Sequence, residues 1–177
     1  MATFSLPIPE TRIETTFPPL TARVVDRFAS ESGWSLPDDY LSFLAWKNGF
    51  QCDPNSGLVL HYAFEWDTDG VLRKGEAGQY VQEFFGIAES TDDIRGQQAS
   101  YNFNRFAPHG VYCIGWTPGL TQIAISTRDD DFGYVYHWPS TRAFADEKPE
   151  SEWQRIHEPI ASSFSSFWSK LEPYDRG

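Results

Sequence analysis

The segment Leu36-Pro37-Asp38-Asp39-Tyr40-Leu41-Ser42-Phe43-Leu44-Ala45-Trp46-Lys47-Asn48-Gly49 combines a helix start, an amphipathic face and a helix stop. Proline suits the first helical position, and the two aspartates that follow it face the positive end of the helix dipole. Side chains then recur at helical spacing, at Tyr40, Phe43, Leu44 and Lys47. Asn48-Gly49 supplies a left-handed stop. The pattern predicts a short helix over 37–47 with one face on a core.

The sequence on either side of this segment changes from helical to extended patterns. A first helix is predicted over 21–32, with Thr21 as its cap and Gly33 as its stop. From residue 58 to 65 apolar side chains alternate with other residues, which indicates a half-buried strand. A turn at 67–70 and another extended piece at 80–85 follow.

The second half of the chain reads as a short helix, three strands and a closing helix. The short helix is predicted over 94–99, with Ser90 or Thr91 as its cap and a loop after it. Strands over 111–116, 120–127 and 134–138 form an antiparallel meander, and the closing helix runs over 157–171. This order predicts an α+β fold in which helices pack on one face of a mostly antiparallel central sheet of about five or six strands.

The opening segment resembles the signature of the SUKH superfamily, the Smi/Knr-type proteins, which carry a Leu-Pro-x-x-Tyr-x-x-Phe-Leu run ending in Asn-Gly after an N-terminal helix. Further pieces similar to the family follow in order, at 85–87, 111–115, 121–126, 133–138 and 160–171. The turn at 116–120, Trp-Thr-Pro-Gly-Leu, departs from the Gly-rich or acidic turn of many members. The resemblance spans roughly residues 20 to 171 and implies the same α+β architecture.

The length of 177 residues fits a single domain with its own core. We expect an extended, partly ordered arm over 1–20, because prolines interrupt it and no periodicity is sustained there. The domain then covers 21–172, and 173–177 form a tail. Seven Trp, fourteen Phe and eight Tyr exceed what a small core requires, so we expect some aromatic surface to be exposed or to line a groove.

The formal net charge of −11 argues against nucleic acid or an anionic membrane as a partner, because phosphates would be repelled. A basic protein would be attracted instead, although an acidic surface also serves solubility alone. Cys52 and Cys113 are too few for a disulfide framework, and we expect both to be reduced. No signal-peptide pattern or membrane-length apolar run is present, so we expect a cytoplasmic protein.

No motif points to catalysis, a cofactor or a metal ion, and we predict none of the three. The four histidines lack ligand spacing, and nucleophile-elbow, Walker and dinucleotide-binding strings do not occur. The pairs Asp38-Asp39 and Asp92-Asp93 could serve acid–base chemistry but more often cap helices. Cys52 has no basic neighbour in the sequence that would activate it. An enzyme with a site assembled from distant residues is the weakest hypothesis.

The strongest surface signal is a mixture of carboxylates and large rings, which suits a basic, Arg-rich partner. The same residues also have plain structural explanations, since an Asp triplet before Phe-Gly is usually a solvated turn and Trp is often core. We predict partner binding at Trp66, Asp67, Asp69, Trp116, Asp129, Asp130, Asp131, Tyr134 and Trp138.

The resemblance implies a non-enzymatic binding module, and many bacterial members are immunity proteins that neutralise a toxin, often one that acts on nucleic acid. We therefore expect an immunity protein, monomeric or weakly homodimeric, whose acidic face binds a basic cognate toxin and occludes its active or substrate-binding surface. The alternative is an intracellular regulatory or scaffold domain of the Smi/Knr type. The fungal members of that kind tend to carry long disordered flanks, which we expect this protein to lack.

Overall fold

The computed structural model describes residues 3–15, 17–53, 55, 57–63, 66–68, 71–73, 78–88, 93–100, 107, 109–118, 122–138 and 159–175. A short 3-10 helix covers Glu10–Arg12, and the α-helices are α1 (Ala22–Ser32), α2 (Asp38–Trp46), α3 (Ile94–Ser100) and α4 (Phe164–Trp168). The strands are β1 (Ile13–Thr15), β2 (Phe50–Cys52), β3 (Leu58–Ala63), β4 (Trp66–Thr68), β5 (Val71–Arg73), β6 (Gly78–Val81), β7 (Glu83–Phe84), β8 (Val111–Trp116), β9 (Gln122–Ser126), β10 (Val135–Trp138), β11 (Pro159–Ala161) and β12 (Glu172–Asp175).

The strands form a large antiparallel sheet and two smaller ones. The large sheet has seven strands in the order β1-β2-β7-β8-β9-β10-β11, and β12-β3-β6 form a three-stranded sheet. β4 and β5 pair with each other. The predicted α+β class with a mostly antiparallel sheet is confirmed, although the large sheet exceeds the predicted five or six strands.

The helix α2 lies at the centre of the core, as its pattern predicted. Tyr40, Phe43 and Leu44 are completely buried. The Phe43 ring lies 4.8 Å from the Phe164 ring and 5.0 Å from the Trp168 ring of α4, measured between centroids. Each ring of this size contributes about 2–3 kcal/mol when fully buried. Many of the aromatic residues that the composition suggested for a binding surface therefore serve the core.

Asn48 and Gly49 have a different role from the predicted helix stop. The helix ends at Trp46, and its C-cap Lys47 has extended backbone with φ −138°. The Asn48 side chain is buried and bonds the backbone N–H and C=O of Ile87, both at 2.8 Å. Gly49 has φ +76°, and a Cβ there would lie 2.6 Å from the Gly86 nitrogen. The pair clamps the end of α2 onto the segment after β7.

The predicted first helix, short helix and meander are all present. α1 has the expected Thr21 cap, which accepts from Val24 N at 3.4 Å, and the left-handed Gly33. α3 covers the predicted short helix, while the suggested caps Ser90 and Thr91 lie outside the described residues. β8, β9 and β10 pair as consecutive antiparallel strands.

The predicted closing helix over 157–171 was wrong in its extent. Among the described residues of that range, 159–171, the α-helix covers Phe164–Trp168 alone, and Ser163 caps it by accepting from Ser166 N at 3.1 Å. Pro159–Ala161 instead forms β11, which extends the sheet through its pairing with β10. A serine cap and long-range strand pairing override the helical spacing of the apolar residues here.

Both chain ends contribute more structure than an arm and a tail. β1 adds a strand to the large sheet by pairing with β2, and Phe4 and Ile8 are buried. The indole of Trp168 donates to the Ser5 carbonyl at 3.0 Å. At the other end, β12 pairs with β3.

Two predictions for the segment between β3 and β7, a turn and an extended piece, were also imprecise. Residues 67 and 68, expected in a turn at 67–70, belong to β4 instead, and residues 69 and 70 lie outside the described ranges. The extended piece at 80–85 divides between β6 and β7 on either side of Gln82, and these strands belong to different sheets.

Candidate partner-binding surface

The candidate residues on the meander lie at its two opposite ends. The register pairs Gln122 of β9 with Trp116 of β8 and with Trp138 of β10, so both tryptophans lie at one end. Asp129, Asp130, Asp131 and Tyr134 follow Ser126, at the other end of β9. Four residue steps of extended chain separate the two ends by roughly 13 Å. The structure therefore divides these candidates into two groups.

The tryptophan end offers less free surface than its sequence suggested. Trp138 is only 3% exposed and belongs to the core. Trp116 is partly buried, and its indole N–H donates to Glu83 Oε2 at 2.9 Å. Burial raises the pKa of Glu83, while the indole hydrogen bond lowers it in part. Trp66 and Asp67 belong to β4, but their side chains are not among those that the structure describes. Asp69 lies outside the described residues.

The connection between β9 and β10, residues 127–134, is the hairpin loop, and Asp131 holds it together. The Asp131 carboxylate accepts side-chain hydrogen bonds from Ser126, from Arg128 Nε at 3.0 Å and from Tyr136 at 2.5 Å. A second guanidinium nitrogen of Arg128 forms an ion pair with it. Backbone bonds from Gly133 N to Ser126 O and from Tyr134 N to Asp131 O close the turn. The loop is thus a fixed structure.

The electrostatics of this cluster follow from its hydrogen bonds. Burial alone would raise the pKa of Asp131, but the bonds from Arg128, Ser126 and Tyr136 outweigh it and lower that pKa. The pKa of Tyr136 is raised by burial and by the adjacent carboxylate. Asp131 is therefore charged at neutral pH, and its charge is satisfied within the protein.

Three other side chains of the hairpin loop face solvent, those of Asp129, Asp130 and Phe132. Asp129 is exposed, and the Asp130 side chain is 83% exposed with Arg128 at 3.9 Å. Phe132 is 45% exposed, an unusual position for a phenylalanine. Tyr134 is partly buried against the core. The acidic triplet thus has one structural member, Asp131, and two outward members.

A second acidic element lies beside the hairpin loop. A Cβ built on Gly133, which has φ +86°, would lie 3.6 Å from Pro37 Cγ, so the loop abuts the start of α2. Asp38 is the next residue and is exposed. Its neighbour Asp39 has a structural role, because its carboxylate accepts from Ser165 N at 2.8 Å and Ser165 Oγ at 3.0 Å.

The sequence analysis did not include Phe132 or Asp38 among the candidate partner-binding residues. A phenylalanine is by default a core residue, and the only signal against that was its place between an Asp triplet and a glycine. Asp38 was assigned to the helix dipole, a role that its position still allows. Its proximity to the hairpin loop depends on tertiary structure.

The described ranges contain no group of three or more His, Cys, Asp or Glu residues that could hold a metal ion. Cys52 and Cys113 are buried, and burial raises the pKa of the Cys113 thiol well above its usual range. None of the helices within these ranges is long and apolar enough to cross a bilayer.

The helices α1 and α2 follow β1, α3 precedes the meander and α4 follows β11, which together define an α+β domain built on a large antiparallel sheet. A model described as the SMI1 / KNR4 family (SUKH-1) matches residues 19–170. Because this match covers most of the chain, the protein belongs to the SMI1/KNR4 (SUKH-1) family. This family includes immunity proteins and is generally non-enzymatic. The search of curated proteins gives no match.

Proposed function

We propose that this chain is an immunity protein that binds a basic cognate toxin and occludes its active or substrate-binding surface. Membership of the SMI1/KNR4 (SUKH-1) family supports a protein-binding role. The observation that carries the proposal is the rigid hairpin loop, which projects Asp129, Asp130 and Phe132 into solvent. In this proposal the chain acts in the cytoplasm by binding alone, without a catalytic group, cofactor or metal ion.

The charge of the chain supports a basic partner. Acidic residues outnumber Lys and Arg by 25 to 14, which gives a field that attracts a cationic protein over a distance near the Debye length. At contact, exposed carboxylates of the hairpin loop accept hydrogen bonds from Arg or Lys. A toxin that acts on nucleic acid has such groups in its substrate site, so filling that site would block its substrate.

The rigidity of the loop matters because ordering a mobile loop on binding reduces affinity. Asp131 fixes the backbone on either side of the outward residues before the partner arrives. In this proposal Asp131 holds the loop, whereas Asp129, Asp130 and Phe132 contact the partner. Trp116, Trp66, Asp67 and Asp69 remain candidates for a second contact region only, whereas Trp138 is buried in the core.

The first experiment is capture of bound proteins by the tagged chain from the organism that encodes it, with low-salt and high-salt washes. The proposal predicts recovery of a basic protein that stops growth when produced alone in a bacterial host, and normal growth when this chain is co-produced. Recovery of a non-toxic regulatory protein, or failure to restore growth, would overturn the proposal and favour the scaffold alternative.

A charge-reversal pair with a matched control tests the surface. Asp129→Lys with Asp130→Lys should slow association with the captured toxin by about tenfold or more at low salt and weaken growth protection. Asp26→Lys with Glu172→Lys makes the same change in net charge at exposed positions on α1 and β12. Equal slowing by both pairs would show that only the overall charge matters.

A further inference from the structure

Phe132 is unusually exposed to solvent for a phenylalanine. Among the described residues, three large apolar or aromatic side chains are exposed: Trp46 at 37%, Phe132 at 45% and Tyr174 at 43%. Trp46 stacks on Phe4, and Tyr174 packs against His61 and Tyr80 with centroids 5.5 and 5.1 Å away. Within the described ranges Phe132 has no such ring partner.

The backbone around Phe132 is held in place on both sides. Asp131 is fixed by its hydrogen bonds to Ser126, Arg128 and Tyr136, and Gly133 donates its N–H to Ser126 O at 2.8 Å. A rigid loop that presents a ring to water has the geometry of an interface anchor, because little conformational freedom is lost on binding.

The charges around the ring define the partner. Asp129 and Asp130 lie on the same loop, and Asp38 follows the proline that abuts Gly133. The nearby cation, Arg128, is paired with Asp131 and Asp130. A partner that covers this region must therefore bring apolar surface to Phe132 and positive charge to the surrounding carboxylates.

We infer that Phe132 is the anchor of the toxin complex and inserts into an apolar pocket whose rim carries Arg or Lys side chains that face Asp38, Asp129 and Asp130. The inference rests on the proposed function and adds to it the residue that dominates affinity and the chemistry of the pocket that receives it. Carboxylates at the rim set the association rate, whereas the ring sets the lifetime of the complex.

The test measures binding kinetics between the purified chain and the toxin recovered by capture. Phe132→Ala should weaken binding by about 30-fold or more, mainly through faster dissociation, with the salt dependence of association unchanged. Phe132→Leu should restore part of the loss. Tyr174→Ala, which removes a ring of similar exposure from β12, should change affinity by less than about threefold. Thermal unfolding of each variant controls for folding.

A photo-crosslinking amino acid at position 132, with the same group at 174 as its control, gives an independent measurement in the intact chain. Crosslinks to the toxin from 132 and not from 174 are expected. Toxin capture by the wild-type chain combined with undiminished binding by Phe132→Ala, or with crosslinks from 174 alone, would overturn the inference and leave the proposed function standing. Failure of the wild-type chain to bind and neutralise any toxin would overturn both.

Discussion

Replacement of Asp131 by alanine should destabilise the protein much more than its place in an acidic turn suggests. The substitution removes the acceptor for the Tyr136 and Ser126 hydroxyl groups, on residues that are 7% and 0% exposed. A buried polar group that loses its partner costs about 1–3 kcal/mol. The Arg128 side chain is 31% exposed and can turn to water, so its lost ion pair adds little. We expect a total loss of about 3 kcal/mol.

Asp129→Ala is the matched control, because it makes the same chemical change two positions away. Asp129 is exposed and has no hydrogen-bond or ion-pair partner among the residues described, so the variant should remain within about 0.5 kcal/mol of the wild type.

The assay is urea unfolding followed by tryptophan fluorescence, with the free energy of unfolding extrapolated to water. A second measurement, hydrogen exchange of the hairpin amides, should show faster exchange in Asp131→Ala than in Asp129→Ala. Equal stability of the two variants would refute the structural role of Asp131. It would also refute the distinction between Asp131, which holds the loop, and Asp129, Asp130 and Phe132, which are proposed to contact the partner.

Three further predictions concern the same fold. The pKa of Asp131 is lowered in the folded state, so the stability that its charge contributes is complete above the pKa of an unfolded aspartate, about 3.9. That stability is lost as the pH falls through the folded pKa. Urea unfolding across an acidic pH series should therefore show a steeper loss of stability in the wild type than in Asp131→Ala, and parallel curves would contradict this. Asn48→Ala leaves the backbone N–H and C=O of Ile87, and the Pro18 carbonyl, without a side-chain partner. The free energy of unfolding measured in urea should therefore fall by about 3 kcal/mol. A loss under about 1 kcal/mol would show that water replaces the Asn48 hydrogen bonds. Phe4→Ala should lower the free energy of unfolding by about 3 kcal/mol in the same assay, because the ring is 9% exposed and packs in the aromatic core. An unchanged urea midpoint would show that the N-terminal segment that contains Phe4 does not unfold together with the rest of the domain.

The sequence predicts those parts of the fold whose signals are local. α1 carries its own cap and stop, α2 has an apolar face, and the three meander strands follow one another in the chain as separate extended runs. Such elements need only neighbouring residues to define them. The prediction fails at β1, β11 and β12, because their conformation depends on pairing with strands far away in the chain. A segment with helical spacing becomes a strand when a sheet edge is available to it.

Asn48-Gly49 shows the same limit within a motif that was correctly recognised. The dipeptide has the composition of a helix stop, yet its buried asparagine bonds Ile87, and its glycine permits close approach of Gly86. These contacts cross almost forty residues of sequence and cannot be found from helix chemistry. They also explain why this position needs an amide, since its oxygen accepts from the Ile87 N–H while its nitrogen donates to the carbonyls of Ile87 and Pro18.

The hairpin loop shows why charge patterns in a sequence identify a region better than individual residues. Asp129, Asp130 and Asp131 are chemically identical and adjacent, but only the third accepts hydrogen bonds from Ser126, Arg128 and Tyr136. Asp130 has only a 3.9 Å ion pair with Arg128 and stays exposed. The negative charge of Asp131 is neutralised by the protein, so the triplet presents two outward carboxylates to the proposed partner. Under the proposed function the structural aspartate should still be needed for binding, because it holds those two carboxylates and Phe132 in place. A loss of binding in Asp131 variants is therefore expected to accompany loss of local order, whereas in Phe132 variants it should occur without any change in the fold.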